Sequence, residues 1–178
     1  MGPSRPRRLR RLVAAFGGVA LVLAVLGVAL ARGGPTASSP LVGATAPDFR
    51  LTSLDGTSIA LSEERGSPVV VSFWASWCEP CDREVPLLAR AADDHAADGL
   101  VVLGIVFADD AGSARAFLRS HGARYPALLD PDTATAVAFG VYGIPETFFV
   151  DRDGRIAARR IGELTWPDLE ADVASLLR

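Results

Sequence analysis

The sequence predicts an α/β domain with a mixed central sheet flanked by helices, preceded by one transmembrane helix. Two nearly continuous apolar runs, 69–74 and 100–107, are separated by a long helical pattern. That arrangement is typical of two buried parallel strands joined by a right-handed crossover helix. Two later strands flank Asp153-Gly154, which favours an antiparallel hairpin. An uncharged run near the N-terminus is long enough to cross a bilayer.

The N-terminal run covers residues 12–31, which are 20 residues without a charge. As a helix they would span about 30 Å, the thickness of a hydrocarbon core. Five arginines lie in the preceding tail, residues 1–11, so the tail is expected in the cytoplasm and the following domain outside it. An Ala29-Leu30-Ala31 site also permits a cleaved signal peptide, although the run is longer than a usual signal. The location predicted is the cytoplasmic membrane, crossed once, with the domain extracytoplasmic.

Composition excludes several classes of protein. The net charge is −3, but 12 basic and 21 acidic residues follow residue 34, so no basic face is expected and nucleic-acid binding is excluded. A hydrophobic fraction of 49% excludes a disordered chain. The two cysteines and two histidines do not have the spacing of a structural zinc site. We therefore predict no metal and no cofactor, and we expect His95 and His121 at the surface.

The first elements of the domain follow a linker. Residues 32–46 are rich in Gly, Pro, Ser, Thr and Ala, which predicts a flexible linker and places the folded domain at 47–178. The alternating pattern of 49–54, the Asp55-Gly56 turn and the return segment 57–61 predict an N-terminal β-hairpin. A short capped turn is expected next, before the first buried strand.

The remaining elements alternate between strand and helix. After the strand 69–74, the pattern predicts a helix, a second buried strand, two further helices that end at Gly122 and Gly140, and a hairpin. Thr165 is expected to cap the last helix, with Pro167 in its first turn. The predicted ranges are 79–98, 100–107, 113–121, 132–139, 147–150 and 156–161.

Both cysteines lie in one C-x-x-C segment, at the junction of a buried strand and a helix. This position puts Cys78 at the exposed end of the helix and Cys81 one turn further in, within reach of a disulfide. The helix N-terminus stabilises a thiolate and so lowers the pKa of the Cys78 thiol. Pro80 fits the first turn, where no N–H is needed. Cys78 is therefore expected to attack a substrate disulfide, and Cys81 to resolve the mixed disulfide.

A structural role for the two cysteines is the alternative to a redox role. A disulfide across two intervening residues closes a very small loop and gains little stability from it. A metal site would require two further ligands, and the histidines are the remaining soft candidates. The redox interpretation is therefore favoured.

The segment 73–81, Phe-Trp-Ala-Ser-Trp-Cys-Glu-Pro-Cys, resembles the active-site segment of the thioredoxin family. Members of that family also carry a cis-proline that faces the disulfide, and Ile144-Pro145 matches its position before a late strand. The resemblance implies a thioredoxin-like fold. It also implies that Trp77, Pro80, Ile144 and Pro145 contact the substrate.

Further motifs narrow the resemblance to the membrane-anchored branch of these oxidoreductases. The segment 46–49, the opening hairpin and an inserted helix-bearing segment before Pro145 are similar to that branch. Residues 143–148, Gly-Ile-Pro-Glu-Thr-Phe, resemble the signature of the DsbE/CcmG cytochrome c biogenesis group. The related ResA/TlpA groups have similar Cys-Glu-Pro-Cys centres but usually lack a glutamate after the cis-proline.

This resemblance implies a function. Such proteins reduce the C-x-x-C-H disulfide of apocytochrome c before haem attachment and are re-reduced by a membrane protein of the CcdA/DsbD type. Three alternatives remain: a general reductase of exported proteins of the ResA/TlpA type, an oxidant that introduces disulfides, and a copper-binding accessory protein. A peroxidase is excluded, because Ala75 stands where a Thr-x-x-Cys segment would need threonine.

The sequence departs from soluble thioredoxin at one buried position. Ser72 stands in place of the aspartate found six residues before the first cysteine, and serine cannot accept a proton at neutral pH. Glu79 and Glu146 are therefore candidate proton acceptors for Cys81. Carboxylates near the cysteines also raise thiol pKa values and make the couple more reducing, which favours a reductase.

Overall fold

The computed structural model describes residues 41–178, which form a seven-stranded mixed sheet with helices on both faces. The strands are β1 (Arg50–Ser53), β2 (Ser58–Ala60), β3 (Val69–Trp74), β4 (Val101–Phe107), β5 (Ala127–Asp130), β6 (Glu146–Val150) and β7 (Ile156–Ile161). The helices are α1 (Glu79–Asp94), α2 (Ala111–Ser120), α3 (Ala134–Ala138) and α4 (Trp166–Leu176), with 3-10 turns at Leu61–Glu64 and Ala96–Asp98. The strand order is β2-β1-β5-β4-β3-β6-β7.

Strand β3 lies inside the sheet and carries the predicted apolar run, all of it buried. It pairs in parallel with β4 and antiparallel with β6, which confirms the mixed sheet. Val70 and Trp74 belong to the core under α1, α2 and α4, whereas Val71 and Phe73 belong to the core on the other face, with Ala136 of α3. Because side chains alternate between the two faces of a strand, β3 contributes to both cores.

The register of β3 and β6 defines the edge of the sheet where the cysteines lie. Phe73 is opposite Glu146 in this antiparallel pair. The residues that precede β6 therefore lie beside the carboxyl end of β3, where the chain turns into α1. The C-x-x-C segment and Ile144-Pro145, far apart in sequence, meet at this edge.

Strand β5 was not predicted. It has four residues and follows Pro126, so it shows too little alternation to be recognised. Its place in the sheet comes from pairing: Ala127 lies opposite Gly104 of β4 in a parallel ladder, and Leu129 lies opposite Thr52 of β1 in an antiparallel one. The N-terminal hairpin thus joins the main sheet through β5.

Three helix boundaries differ by two residues or more from the predicted ones. Helix α2 begins two residues early, because the Asp110 carboxylate accepts hydrogen bonds from the N–H groups of Gly112 and Ser113. Helix α1 ends at Asp94, and the chain continues to residue 98 as a 3-10 turn. Helix α3 begins at Ala134, because Thr133 is in the left-handed conformation with φ 55°. The predicted cap Thr165 is confirmed by its bond from the Asp168 N–H.

Residues 41–46, which the sequence assigned to the linker, pack on the domain instead. The Gly43 N–H donates to the Ile156 carbonyl over 2.8 Å, and the Ala46 N–H donates to the Gly154 carbonyl over 2.9 Å. Thr45 forms a β-bridge with Arg155. These backbone bonds give the segment a fixed place beside β7, and Ala46 is buried in the core.

Within the part of the chain that the structure describes, no helix has both the length and the apolar character needed to cross a membrane. The predicted tail at 1–11, the membrane-spanning run at 12–31 and residues 32–40 of the linker lie outside the described residues.

Candidate active site

The loop between β3 and α1, residues 75–77, is held against the segment that follows β4. The Ser76 N–H donates to Asp109 Oδ2 over 2.7 Å. The Trp77 indole N–H donates to the Ala108 carbonyl over 3.2 Å, although 59% of Trp77 is exposed. The Cys78 N–H closes the loop by donating to the Ala75 carbonyl. The loop therefore presents an indole ring at the surface next to the first cysteine.

Cys78 and Cys81 form a disulfide at the start of α1, with their Cα atoms 5.2 Å apart. Cys78 is the N-cap residue of the helix and retains 5% exposure, whereas Cys81 is completely buried. Pro80 lies in the first turn, as predicted. The N-terminus of α1 thus points toward Cys78, where its dipole favours a thiolate.

The Ile144-Pro145 peptide bond is cis, as the resemblance implied. It immediately precedes β6, and the Pro145 carbonyl accepts a hydrogen bond from the Gly162 N–H. Ile144 is half-buried and packs against the cores on both faces of the sheet. Tyr142, two residues earlier, is 97% exposed. No motif in the sequence pointed to this tyrosine.

The two glutamates proposed as proton acceptors lie in different environments. Glu79 is exposed in the first turn of α1 and forms an ion pair with Arg83, one turn further along. Glu146 is buried at the start of β6 and forms an ion pair with Arg159 of β7. Burial raises the pKa of Glu146, and the hydrogen bond and charge of Arg159 oppose that rise. Each of these carboxylates is therefore engaged by a guanidinium.

A third glutamate, Glu84, was missed by the sequence analysis. It lies on α1 one turn after Cys81 and is only 1% exposed. Its Oε1 accepts hydrogen bonds from the Thr147 hydroxyl over 2.8 Å and the Ser72 hydroxyl over 3.3 Å. Its Oε2 accepts from the Leu164 N–H over 3.2 Å. All three donors are neutral groups.

Burial dominates the acid–base behaviour of Glu84. Burial raises the pKa of its carboxyl, while the bonds from Thr147, Leu164 and Ser72 oppose the rise. Residues three positions apart share one side of a helix, so this carboxyl and the Cys81 thiol lie on the same side of α1. A carboxyl shifted toward neutrality in this position is suited to exchange a proton with that thiol.

Small residues of the sheet lie next to Glu84 and to two buried aromatic side chains. Ser72 of β3 is flanked by Gly104 of β4 and Thr147 of β6 in the pairing register. A Cβ atom on Gly104 would lie 2.5 Å from Trp74 Nε1 and 3.0 Å from the Tyr125 ring. The Trp74 indole N–H and the Tyr125 hydroxyl are both buried without a hydrogen-bond partner among residues 41–178. A polar cluster thus lies beneath α1, inside an otherwise apolar core.

The two histidines, predicted to lie at the surface, are only partly exposed there: 16% of each side chain is accessible. His121 Nε2 lies 3.0 Å from Asp82 Oδ1, and His95 Nε2 lies 3.1 Å from Glu170 Oε1. Helix–helix packing buries them, because each joins α1 or its end to a neighbouring helix. The described residues contain no group of three or more His, Cys, Asp or Glu side chains that could hold a metal ion.

Comparison with known proteins identifies relatives of this chain. The model of the AhpC/TSA family matches residues 42–159. The thiol-disulfide oxidoreductase ResA of Geobacillus kaustophilus is 33% identical over 135 residues, which are 76% of this chain and 78% of that protein. The thiol:disulfide interchange protein DsbE of Allochromatium vinosum is 39% identical over 129 residues, 71% of this chain and 70% of that protein.

A solved structure gives the same result for the fold. It is a secreted disulfide oxidoreductase of Mycobacterium tuberculosis, described as homologous to E. coli DsbE. It is 25% identical and superposes with a TM-score of 0.66, covering 72% of this chain and 96% of that chain. From its fold, its C-x-x-C disulfide and these relatives, the chain belongs to the AhpC/TSA family and is a thioredoxin-like thiol-disulfide oxidoreductase of the ResA and DsbE type.

Proposed function

We propose that this oxidoreductase works as an extracytoplasmic disulfide reductase, held at the membrane by residues 12–31, and that its substrate is apocytochrome c. The observation that carries the reductive direction is the buried carboxyl of Glu84 on the same side of α1 as Cys81. Its hydrogen-bond donors are neutral, so no guanidinium among them cancels its charge. A negative charge there disfavours a second one on sulfur and makes the dithiol the stronger reductant.

In the proposed cycle the reduced protein donates two electrons to a substrate disulfide. The Cys78 thiolate attacks one substrate sulfur, forms a mixed disulfide and releases the other substrate sulfur as a thiolate. Cys81 then loses its proton, attacks the Cys78 sulfur and releases the second substrate sulfur. Once its two thiolates have taken up protons from solvent, the substrate leaves as a dithiol, and the protein is left with the disulfide seen in the structure.

We assign the proton of Cys81 to Glu84 rather than to Glu79 or Glu146. Cys81 is fully buried, so solvent cannot readily take its proton. Glu84 is buried beside it on the helix, and its raised pKa brings it toward the pH at which the protein operates. Glu79 is exposed and paired with Arg83, so it does not lie in the interior with the Cys81 thiol. Burial also raises the pKa of Glu146, but that carboxyl lies on β6 rather than on α1 and is held by the Arg159 guanidinium.

The substrate and the electron donor are inferred from several features. The Gly143–Phe148 segment resembles the cytochrome c biogenesis signature, and DsbE of Allochromatium vinosum is among the relatives. Trp77 and Tyr142 expose aromatic surface at the same edge of the sheet, where an unfolded polypeptide can pack on them. A membrane protein of the CcdA/DsbD type would return electrons to Cys78. A general reductase of other exported proteins is the alternative.

The full-length Cys81→Ser variant tests the substrate. It should retain Cys78 as an attacking thiol but lack the resolving thiol, so the mixed disulfide should persist. We expect apocytochrome c bound through its C-x-x-C-H segment when the variant is expressed in a bacterium that makes c-type cytochromes and thiols are blocked at lysis. The Cys78→Ser/Cys81→Ser double variant is the control and should bind nothing. If the variant traps only other exported proteins, the proposed substrate is wrong and the general reductase is supported instead.

A further inference from the structure

The loop between β7 and α4, residues 162–165, contacts two adjacent residues of α1. Arg83 Nε and Nη2 donate to the two carboxylate oxygens of Glu163, each over 2.7 Å. The next residue of the loop, Leu164, donates its N–H to Oε2 of Glu84 over 3.2 Å. The helix therefore holds the loop at the surface through Arg83 and in the interior through Glu84.

We propose that Arg83 is a positioning residue for the disulfide chemistry: by clamping Glu163 it holds the Leu164 N–H against the buried carboxyl of Glu84. This inference rests on the proton-accepting role proposed above for Glu84. In this proposal Arg83 acts on the chemistry through the loop, although it also pairs with Glu79 beside Cys78.

The geometry of the clamp explains why it positions the loop. A bidentate arginine–carboxylate pair fixes both the distance and the orientation of its partners. The side chains of Arg83 and Glu163 are 50% and 36% exposed, so the pair itself contributes little to folding stability. The Leu164 bond, at 3.2 Å, is already at the long end of N–H···O bonds, so a small displacement of the loop would break it.

The groups around Glu84 determine whether the loss of Arg83 raises or lowers the pKa of its carboxyl. Ser72 of β3 and Thr147 of β6 are neutral donors, and the buried Tyr125 hydroxyl precedes β5. Arg160 of β7, beside Thr147 in the sheet, is paired with Asp172 of α4.

Two interactions of the Glu84 carboxyl, with the charge of Glu163 and with the Leu164 N–H, change when Arg83 is lost. The charge of Glu163 raises the pKa of Glu84, whereas the Leu164 bond lowers it. Without Arg83, the charge of Glu163 is no longer compensated and the Leu164 bond is lost. Both changes raise the pKa of Glu84.

The test compares Arg83→Met with Arg90→Met in the full-length protein. Arg90 lies on the same helix, but it pairs with Asp94 and its guanidinium lies 3.8 Å from the Trp166 ring centroid. Replacing Arg90 therefore removes neither the ion pair with Glu163 nor the Leu164 bond to Glu84. The measured quantity is the rate at which Cys81 resolves a Cys78 mixed disulfide, as a function of pH. We expect Arg83→Met to move the pH midpoint upward by about 0.5 to 1 unit, and Arg90→Met to leave it in place.

The same pair of measurements in a Glu84→Gln background shows whether Arg83 affects the resolving step through Glu84. If Arg83 acts through Glu84, Arg83→Met adds no further shift once Glu84 is gone. An equal shift in both backgrounds would mean that Arg83 acts through its other partner, Glu79, beside Cys78, and would overturn the inference. A profile left unchanged by Glu84→Gln alone would instead refute the proposed role of Glu84. A changed profile in Glu84→Gln, without any shift in Arg83→Met, would refute the positioning role alone.

Discussion

Replacing Cys78 by serine is expected to abolish turnover, with a loss of at least about 10³-fold in the rate of substrate disulfide reduction. Cys78 is the N-cap of α1 and the cysteine that retains exposure, so no other described thiol can start the reaction. Cys81→Ser should lose steady-state turnover to the same extent for a different reason: the first attack occurs, but the mixed disulfide is not resolved. The measurement is reduction of a fluorogenic disulfide by the full chain with a chemical reductant.

The two single variants differ in a burst measurement. Cys81→Ser should release close to one thiol equivalent per chain and then stop, whereas Cys78→Ser should release none. The double variant should be no worse than Cys78→Ser in turnover, because residues that act as a unit are not additive. A burst from Cys78→Ser, or continued turnover by Cys81→Ser, would contradict the assigned order of attack.

Replacing Glu84 by glutamine is expected to slow the resolving step by about 10²-fold at neutral pH, on the scale of losing a general base. In the unaltered protein the rate should rise with pH as Glu84 loses its proton and becomes able to accept that of Cys81. Because burial raises the pKa of Glu84, this rise lies above the ordinary range of a glutamate. Glutamine cannot take the proton, so the variant should lose this part of the profile, which stopped-flow measurement from pH 5 to 9 would reveal.

Glu79→Gln and Glu146→Gln are the comparisons for that experiment. Glu79 is on the same helix, but it is exposed and forms an ion pair with Arg83. Its replacement should therefore change the rate of the resolving step less than twofold. Glu146→Gln removes a buried ion pair with Arg159 and is expected to reduce stability more than it alters the pH profile. If the pH profile changes in Glu79→Gln or Glu146→Gln but not in Glu84→Gln, the acceptor of the Cys81 proton is Glu79 or Glu146, as the sequence predicted.

Much of the fold could be predicted because its signals are local. The apolar run of β3, the Asp153-Gly154 turn and the Thr165 cap each depend on a few neighbouring residues, and the structure confirms all three. The C-x-x-C pair and the cis Ile144-Pro145 bond were recognisable for the same reason, since each lies in a short motif. Strand β5 was missed, because its four residues become a strand only by pairing with β1 and β4.

Glu84 could not be found in this way, because its burial depends on how β3, β6 and the loop after β7 come together around it. In the sequence, Asp82-Arg83-Glu84 resembles the solvated side of a helix. Two signals were nevertheless present in the sequence. Glu84 is three residues after Cys81, and Ser72 stands where thioredoxin has a buried aspartate, so that acid is missing from the strand. The structure connects them, because the Ser72 hydroxyl donates to the Glu84 carboxyl. The buried acid is therefore supplied by the helix rather than by the strand.

The midpoint potential of the Cys78–Cys81 couple tests the central claim most directly. It would be measured on the full-length protein in detergent, equilibrated with thiol–disulfide buffers and quenched with an alkylating agent. A reductase whose thiols lie near a buried carboxylate should have a potential well below about −200 mV. A value near about −120 mV, that of the strong oxidant DsbA, would contradict the account and make the protein a disulfide donor.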